Sequence, residues 1–457
     1  MNPTTDRRRF LTAAGTALGG IALGAFGARP GWAQTPPSDH RFLFAYFEGG
    51  WDILLSLDPR NPATTQPDVH KIDPGYQQLS ADYQQRGVQT AGGLRFGPIV
   101  PDAFLAHASD VTIINGVGMD TAAHEVGRRY FITGRFPRGI SAVGSSTPAE
   151  ILAQLSDDSP IPHLSAAVEA YASGLPAYAS ALNINSATDL SVALTPFAQI
   201  DPTVLSAVEA YQDESAGCVA ESLDRDGLAS SLRRNQVRAR TYIESQLSQL
   251  FAYQSSEPQM AALRQRYGII DGDTGQPDSP EVLAFVAGQA LKQNVSPAVS
   301  VRIAQGLDSH SNWAQEQPER QARGWRALAA LIDDLKATES GSASLWDRTT
   351  LVVFSEFART PLFNALRGRD HFLGNSCLVA GPGLRRGTTV GASAEVGMMP
   401  LYTELATGRA IAQPDEADLS SGRVVTLSPK HVLATVMQSV GLDGSYLRSS
   451  PITGVLA

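Results

Sequence analysis

The stretch Phe42-Leu43-Phe44-Ala45-Tyr46-Phe47, running into Glu48-Gly49-Gly50-Trp51-Asp52, decides how this 457-residue chain is read. Six apolar residues in a row describe a buried strand, and the run stops abruptly at glycines and carboxylates. The pattern returns twice. Residues 298–304 run into Gly306-Leu307-Asp308-Ser309-His310, and residues 350–354 run into Ser355-Glu356-Phe357, with Asp370-His371 shortly after. In open α/β sheets, ligands sit outside the carboxyl ends of the strands. Carboxylates and imidazoles gathered there are the donors that a hard or borderline divalent cation takes.

Working outward, a second strand is expected over Val111–Asn115, with a helical pattern through Ala122–Phe131 after it. Residues 162–197 read as strands and loops. Residues 202–292 read as mostly helical, clearest over Ser231–Tyr253, with a loop at Ile270–Ser279. Trp325, Leu328, Leu331, Ile332 and Leu335 keep helical spacing within an expected helix over 318–338, and a last helix is expected over 428–440. Strands alternating with helices predict an α/β fold with a doubly wound, mostly parallel sheet. No internal domain break is evident, so 41–457 is read as one domain with a helical insertion at about 202–292.

A hydrophobic content of 43% with 18% charged residues is that of a globular protein with a substantial core. The net charge of −9 argues against nucleic acid as a partner, because phosphate binding relies on a basic face. The local cluster Arg233, Arg234, Arg238 and Arg240 reads as a solvated helical face. Cys218 and Cys377 are too few for a disulfide framework or a zinc–thiolate site, and whether they pair is open.

At the N-terminus, Arg7-Arg8-Arg9-Phe10-Leu11 precedes a mildly apolar stretch to Phe26, and Gly31-Trp32-Ala33 offers small residues for cleavage. This has the form of a twin-arginine export signal over residues 1–33, with the twin-arginine translocase as a transient partner. The apolar run is short for a membrane anchor, which needs about 20 residues. The expected location is periplasmic or extracellular, with no stable membrane span after cleavage. Loss of residues 1–33, with four arginines and one aspartate, takes the net charge from −9 to −12.

Several common sites are missing. There is no G-x-S-x-G elbow, and Gly381-Pro382-Gly383 does not extend into a dinucleotide fingerprint. His124-Glu125-Val126-Gly127-Arg128 opens like a zinc-protease helix but has Arg128 where the second histidine belongs. Within Asp308-Ser309-His310, carboxylate and imidazole face the same way if the backbone is extended. Each candidate also has a plainer reading. Asp308 could cap the following helix, Glu356 could pair with Arg359, and Asp52 could be a turn residue.

The Gly-Gly-x-Asp after the first strand, the Asp-x-His, the run Ser355-Glu356-Phe357-Ala358-Arg359-Thr360-Pro361 and the later Asp-His resemble the bacterial family called domain of unknown function 1501. The resemblance spans Arg41 to the end. It implies the alkaline phosphatase and sulfatase superfamily, hence an alkaline-phosphatase-like fold and a two-metal site. The implied ligands are Asp52, Asp308, His310, Glu356, Asp370 and His371, around one or two ions of zinc, manganese, calcium or magnesium. Thr121, His124 and Arg359 are the implied catalytic residues, with Arg359 as an anion clamp. Family members often have Ser-His where this chain has Ala123-His124, which leaves Thr121 as the nearest hydroxyl and weighs against a covalent mechanism. The expected function is hydrolysis of a phosphate or sulfate ester, a small anionic ester being the substrate. The alternative is a non-catalytic binding or assembly protein that engages a cell-envelope component.

Overall fold

The run Arg41–Phe47 is a strand, β1, and every residue of it is buried. Its alternate side chains enter two separate cores: Leu43, Ala45 and Phe47 join one, and Phe42, Phe44 and Tyr46 the other. A strand buried on both faces must be apolar throughout, which is why the sequence shows no polar alternation. A computed structural model describes residues 39–155, 159–195, 201–217, 247–270 and 272–457. The expected export signal, Cys218 and most of the expected helix 231–253 lie outside the described residues.

Seven further strands complete the central sheet: β2 (Thr112–Gly118), β3 (His163–Ala166), β4 (Ala181–Ile184), β5 (Ala298–Ala304), β6 (Thr349–Phe354), β7 (Gly374–Ala380) and β8 (Thr388–Val390). Their spatial order is β8-β2-β7-β6-β1-β5-β3-β4. Pairing is parallel except where β7 lies antiparallel between β6 and β2. The carboxyl ends of β1, β5 and β6 and the amino end of β7 therefore open onto one edge.

Helices α1 (His124–Thr133) and α4 (Pro429–Ser439) share the core of Phe44 and Tyr46. Helices α2 (Pro280–Lys292) and α3 (Trp313–Lys336) cover the opposite face. The sheet is thus doubly wound, as the sequence predicts. Helix α2, at the end of the expected helical block, is almost wholly buried against β5, while Pro202–Gly217 and Pro258–Tyr267 are separate helices before it. Helix α3 begins upstream of the expected start at Pro318. The proline costs only one helical hydrogen bond. Hydrogen bonds from Trp313 to Asp52 and from Gln317 to the Gly50 carbonyl hold the additional turn. Among the described residues, no helix is long and apolar enough to cross a membrane.

Candidate metal centre

The site grows from the turn after β1. Gly49 has φ of +110°, and a Cβ there would lie 2.6 Å from the Leu307 amide nitrogen. Only glycine suits both conditions, and its absence of a side chain lets the β1 turn rest against the loop carrying Asp308. Gly127 does the same on α1, since a Cβ there would collide with the Glu356 carbonyl oxygen. That close approach brings His124, the first residue of α1, over the end of β6.

Glu356 follows β6 and is fully buried. Its Oε1 accepts hydrogen bonds from the Gly49 amide (2.9 Å) and His124 Nδ1 (2.8 Å), and its Oε2 accepts one from the Ser355 hydroxyl (2.9 Å). Burial alone would raise the Glu356 pKa, but the hydrogen bond and charge of His124, with those of the backbone and Ser355, lower it, so the carboxylate stays ionised. For His124 the balance is reversed in sign: burial opposes the charged form, and Glu356 and Asp308 outweigh it and raise the pKa.

Three imidazoles are fixed in one tautomer by what their Nδ1 atoms meet. His124 Nδ1 faces Glu356, His310 Nδ1 lies 2.6 Å from Asp370 Oδ1, and His371 Nδ1 lies 2.6 Å from the Ala122 carbonyl oxygen. These partners only accept, so each Nδ1 carries the proton and the Nε2 lone pairs point inward, an assignment made from the hydrogen-bond partners. Burial keeps the His371 pKa below the usual histidine range, in keeping with a neutral ring. His371 Nε2 is 2.9 Å from His310 Nε2 and 3.1 Å from Asp308 Oδ1, and His124 Nε2 is 3.4 Å from Asp308 Oδ2. His124 Nε2 is buried without a hydrogen-bond partner. His124, Asp308 and His371 each present a ligand atom within 4.8 Å of the others.

Two imidazole lone pairs 2.9 Å apart repel unless they share a cation. Ligands on one tetrahedral zinc, each at about 2.0–2.1 Å, stand about 3.3 Å from one another. The donor set His124, His310, His371 and Asp308 therefore fits a divalent ion. Glu356, Asp370 and the Ala122 carbonyl act behind the histidines, orienting the rings as outer partners of metal ligands do.

The remaining sequence candidates are placed differently. Asp52 is fully buried, with Oδ2 accepting from Trp313 Nε1 at 2.8 Å, Oδ1 accepting from the Leu54 amide at 3.0 Å, and an ion pair to Arg369 Nε at 3.0 Å. Arg359 is also buried. Its Nε donates to Gly50 O (2.9 Å), its Nη1 to Arg369 O (3.1 Å), and its Nη2 to Asp308 Oδ1 (2.6 Å) and Gly49 O. Each of its nitrogens is engaged by the protein, so it steadies Asp308 and faces no open anion site. Although burial alone would raise it, the hydrogen bond and charge of Arg359 hold the Asp308 pKa down at about 2. The Thr121 hydroxyl accepts the Ala123 amide at 3.1 Å and makes no contact with the histidines. His124 stands with Asp308 and His371, a placement its sequence context does not disclose; it follows from Gly127, three residues on, which lets α1 approach Glu356.

A cleft of about 480 Å³ lies over β1, β3, β4 and β5, lined by Glu48, Arg128, Glu169, Tyr171, Asn183 and Arg302 and by none of the centre's residues.

No curated relative matches the chain. Two solved structures are similar in outline: the lipoteichoic acid synthase LtaP from Listeria monocytogenes, at 9% identity and TM-score 0.38, over 93% of this chain and 77% of that one; and a protein in the alkaline phosphatase superfamily from Vibrio parahaemolyticus, at 9% identity and TM-score 0.37, over 94% and 76%. A family described as a protein of unknown function (DUF1501) matches residues 39–407, and the chain belongs to that family.

Proposed function

We propose that the protein is an exported, metal-dependent hydrolase of phosphate or sulfate esters. The observation that carries this reading is the convergence of three Nε2 lone pairs and the Asp308 carboxylate beyond the carboxyl ends of β5 and β6. A divalent cation held there supplies Lewis acidity and lowers the pKa of water. The chain's own residues do the rest. Glu356 and Asp370 hold Nδ1 of His124 and His310 and so turn their Nε2 atoms inward. The first turn of α1 starts at His124, and its unpaired amides favour an anion beside the centre. Ala123 offers no hydroxyl, so water is the attacking group. Arg7-Arg8 and the apolar stretch after them support delivery through the twin-arginine translocase. Zinc, manganese, calcium and magnesium are the candidate ions, and three nitrogen donors favour zinc.

Ala123 favours a second reading, a binding or assembly protein that keeps the centre without turnover. Mature protein saturated with zinc or manganese, assayed on aryl phosphates and aryl sulfates, separates the two. Hydrolysis lost in His310→Ala together with metal supports the hydrolase. Bound metal with neither ester cleaved overturns it in favour of the second reading.

A further inference from the structure

We infer that this chain holds a single divalent cation, and that the buried Arg359 and Arg369 guanidiniums stand where a second cation would be needed. The inference rests on the metal centre proposed above and deepens it. The resemblance implies a two-metal site with Asp52 and Glu356 among its ligands, and the structure closes both. Each carboxylate is fully buried. Asp52 accepts hydrogen bonds from Trp313 and the Leu54 amide and forms an ion pair with Arg369, and Glu356 accepts from His124, Ser355 and the Gly49 amide. Binding an ion there means stripping N–H and O–H groups of their acceptor in the interior, which is unfavourable for each group left unpaired.

Arg359 lies inside a cage of oxygens, made by the carbonyls of Gly49, Gly50 and Arg369 and by Asp308 Oδ1. Carbonyl and carboxylate oxygens are what a hard cation takes, and here a guanidinium already occupies them. Arg369 closes the layer beneath, pairing with Asp52 and donating to the carbonyls of Thr360 (2.8 Å) and Asp73 (2.6 Å). Charge gives the same count. The carboxylates Asp52, Asp308, Glu356 and Asp370 bring four negative charges, and Arg359 and Arg369 return two positive ones. With neutral imidazoles the cluster carries two negative charges, which one divalent ion balances. A second ion beside Asp52 and Glu356 would add positive charge next to two guanidiniums that are themselves buried, an arrangement that burial disfavours strongly.

The test is metal stoichiometry on the full mature protein, stripped with chelator and titrated with zinc, read by calorimetry and by elemental analysis. One equivalent in the wild type, one in Asp52→Asn and none in His371→Ala is the expected result. Two equivalents in the wild type, or a fall from two to one in Asp52→Asn, would overturn the inference. Because Asp52→Asn could fail to fold, zinc-soaked wild-type crystals give an independent count. A single anomalous peak among His124, Asp308 and His371 supports the inference, and a second peak beside Asp52 overturns it. One equivalent without ester turnover removes the hydrolase reading and leaves this inference standing; two equivalents with turnover does the reverse.

Discussion

Asp52 and Asp308 each follow a strand of the same sheet and open on the same edge, yet the side chain of Asp52 is sealed from solvent while that of Asp308 is 46% exposed. Each is paired with an arginine. Asp52 gives its oxygens to Arg369, Trp313 and a backbone amide, whereas Asp308 shares its carboxylate between Arg359 and three imidazoles. Position at the carboxyl edge therefore selects residues that meet there without saying what they meet. What distinguishes a ligand from an anchor is the charge and accessibility of its neighbours.

The largest effect that would break this contrast is on stability. Asp52→Ala leaves Arg369 as an unpaired charge in the interior, and unfolding in denaturant should show a loss of about 3–5 kcal/mol. Asp308→Ala should remove metal binding and cost less stability, because the buried Arg359 that loses this carboxylate keeps the carbonyls of Gly49, Gly50 and Arg369 as acceptors. Equal losses from the two variants would erase the distinction.

An intermediate effect separates ligands from the groups behind them. Asp370→Asn keeps the shape but weakens the hold on His310 Nδ1, and metal affinity should fall about 10- to 100-fold with stoichiometry unchanged. Complete loss of metal would make Asp370 a ligand instead.

The smallest effect concerns a carboxylate held by arginines but partly exposed. Glu169 receives Arg128, Arg129 and Tyr171. Burial would raise its pKa, yet these hydrogen bonds, Arg129 first, bring it from 4.5 to about 2. A folded-state pKa below the unfolded value contributes stability that is present above about pH 4.5 and lost as pH falls toward about 2. Glu169→Gln should flatten that acid limb by a small amount, since exposure screens the pair. An unchanged slope in pH-dependent unfolding would show that the arginines act through packing alone.

The parallel sheet and its strands were legible because burial on both faces forces unbroken apolar runs, as in Phe42–Phe47. The meeting of Asp308 with His310 was legible because carboxylate and imidazole lie close after such a run, and the part of His371 came from the resemblance. Arg359 beside Asp308, and Arg369 beside Asp52, were not legible. Their pairing depends on a loop between β6 and β7 folding back across the turn after β1, and short-range pattern carries no information on that distance. The inward turn of His124 was hidden for a related reason. It depends on Glu356, 232 residues away, and on Gly127 allowing α1 to reach it. The plain ion-pair reading of Glu356 with Arg359 gave way because His124 is nearer and fills the same need.

The placement of β1 at the middle of the sheet has a consequence for how the protein comes into being. Arg41 lies beside Thr349 and Phe42 beside Ala298, so the first strand made waits for partners synthesised much later. Closing such long loops costs entropy before any contact offsets it, and folds dominated by distant pairing form slowly. His124, Asp308 and His371 do not meet until that pairing is complete. A cation thus cannot template early folding here. A cation held at that site would be captured by a nearly finished molecule and would act as a lock on the assembled sheet, slowing its unfolding and leaving its folding rate alone.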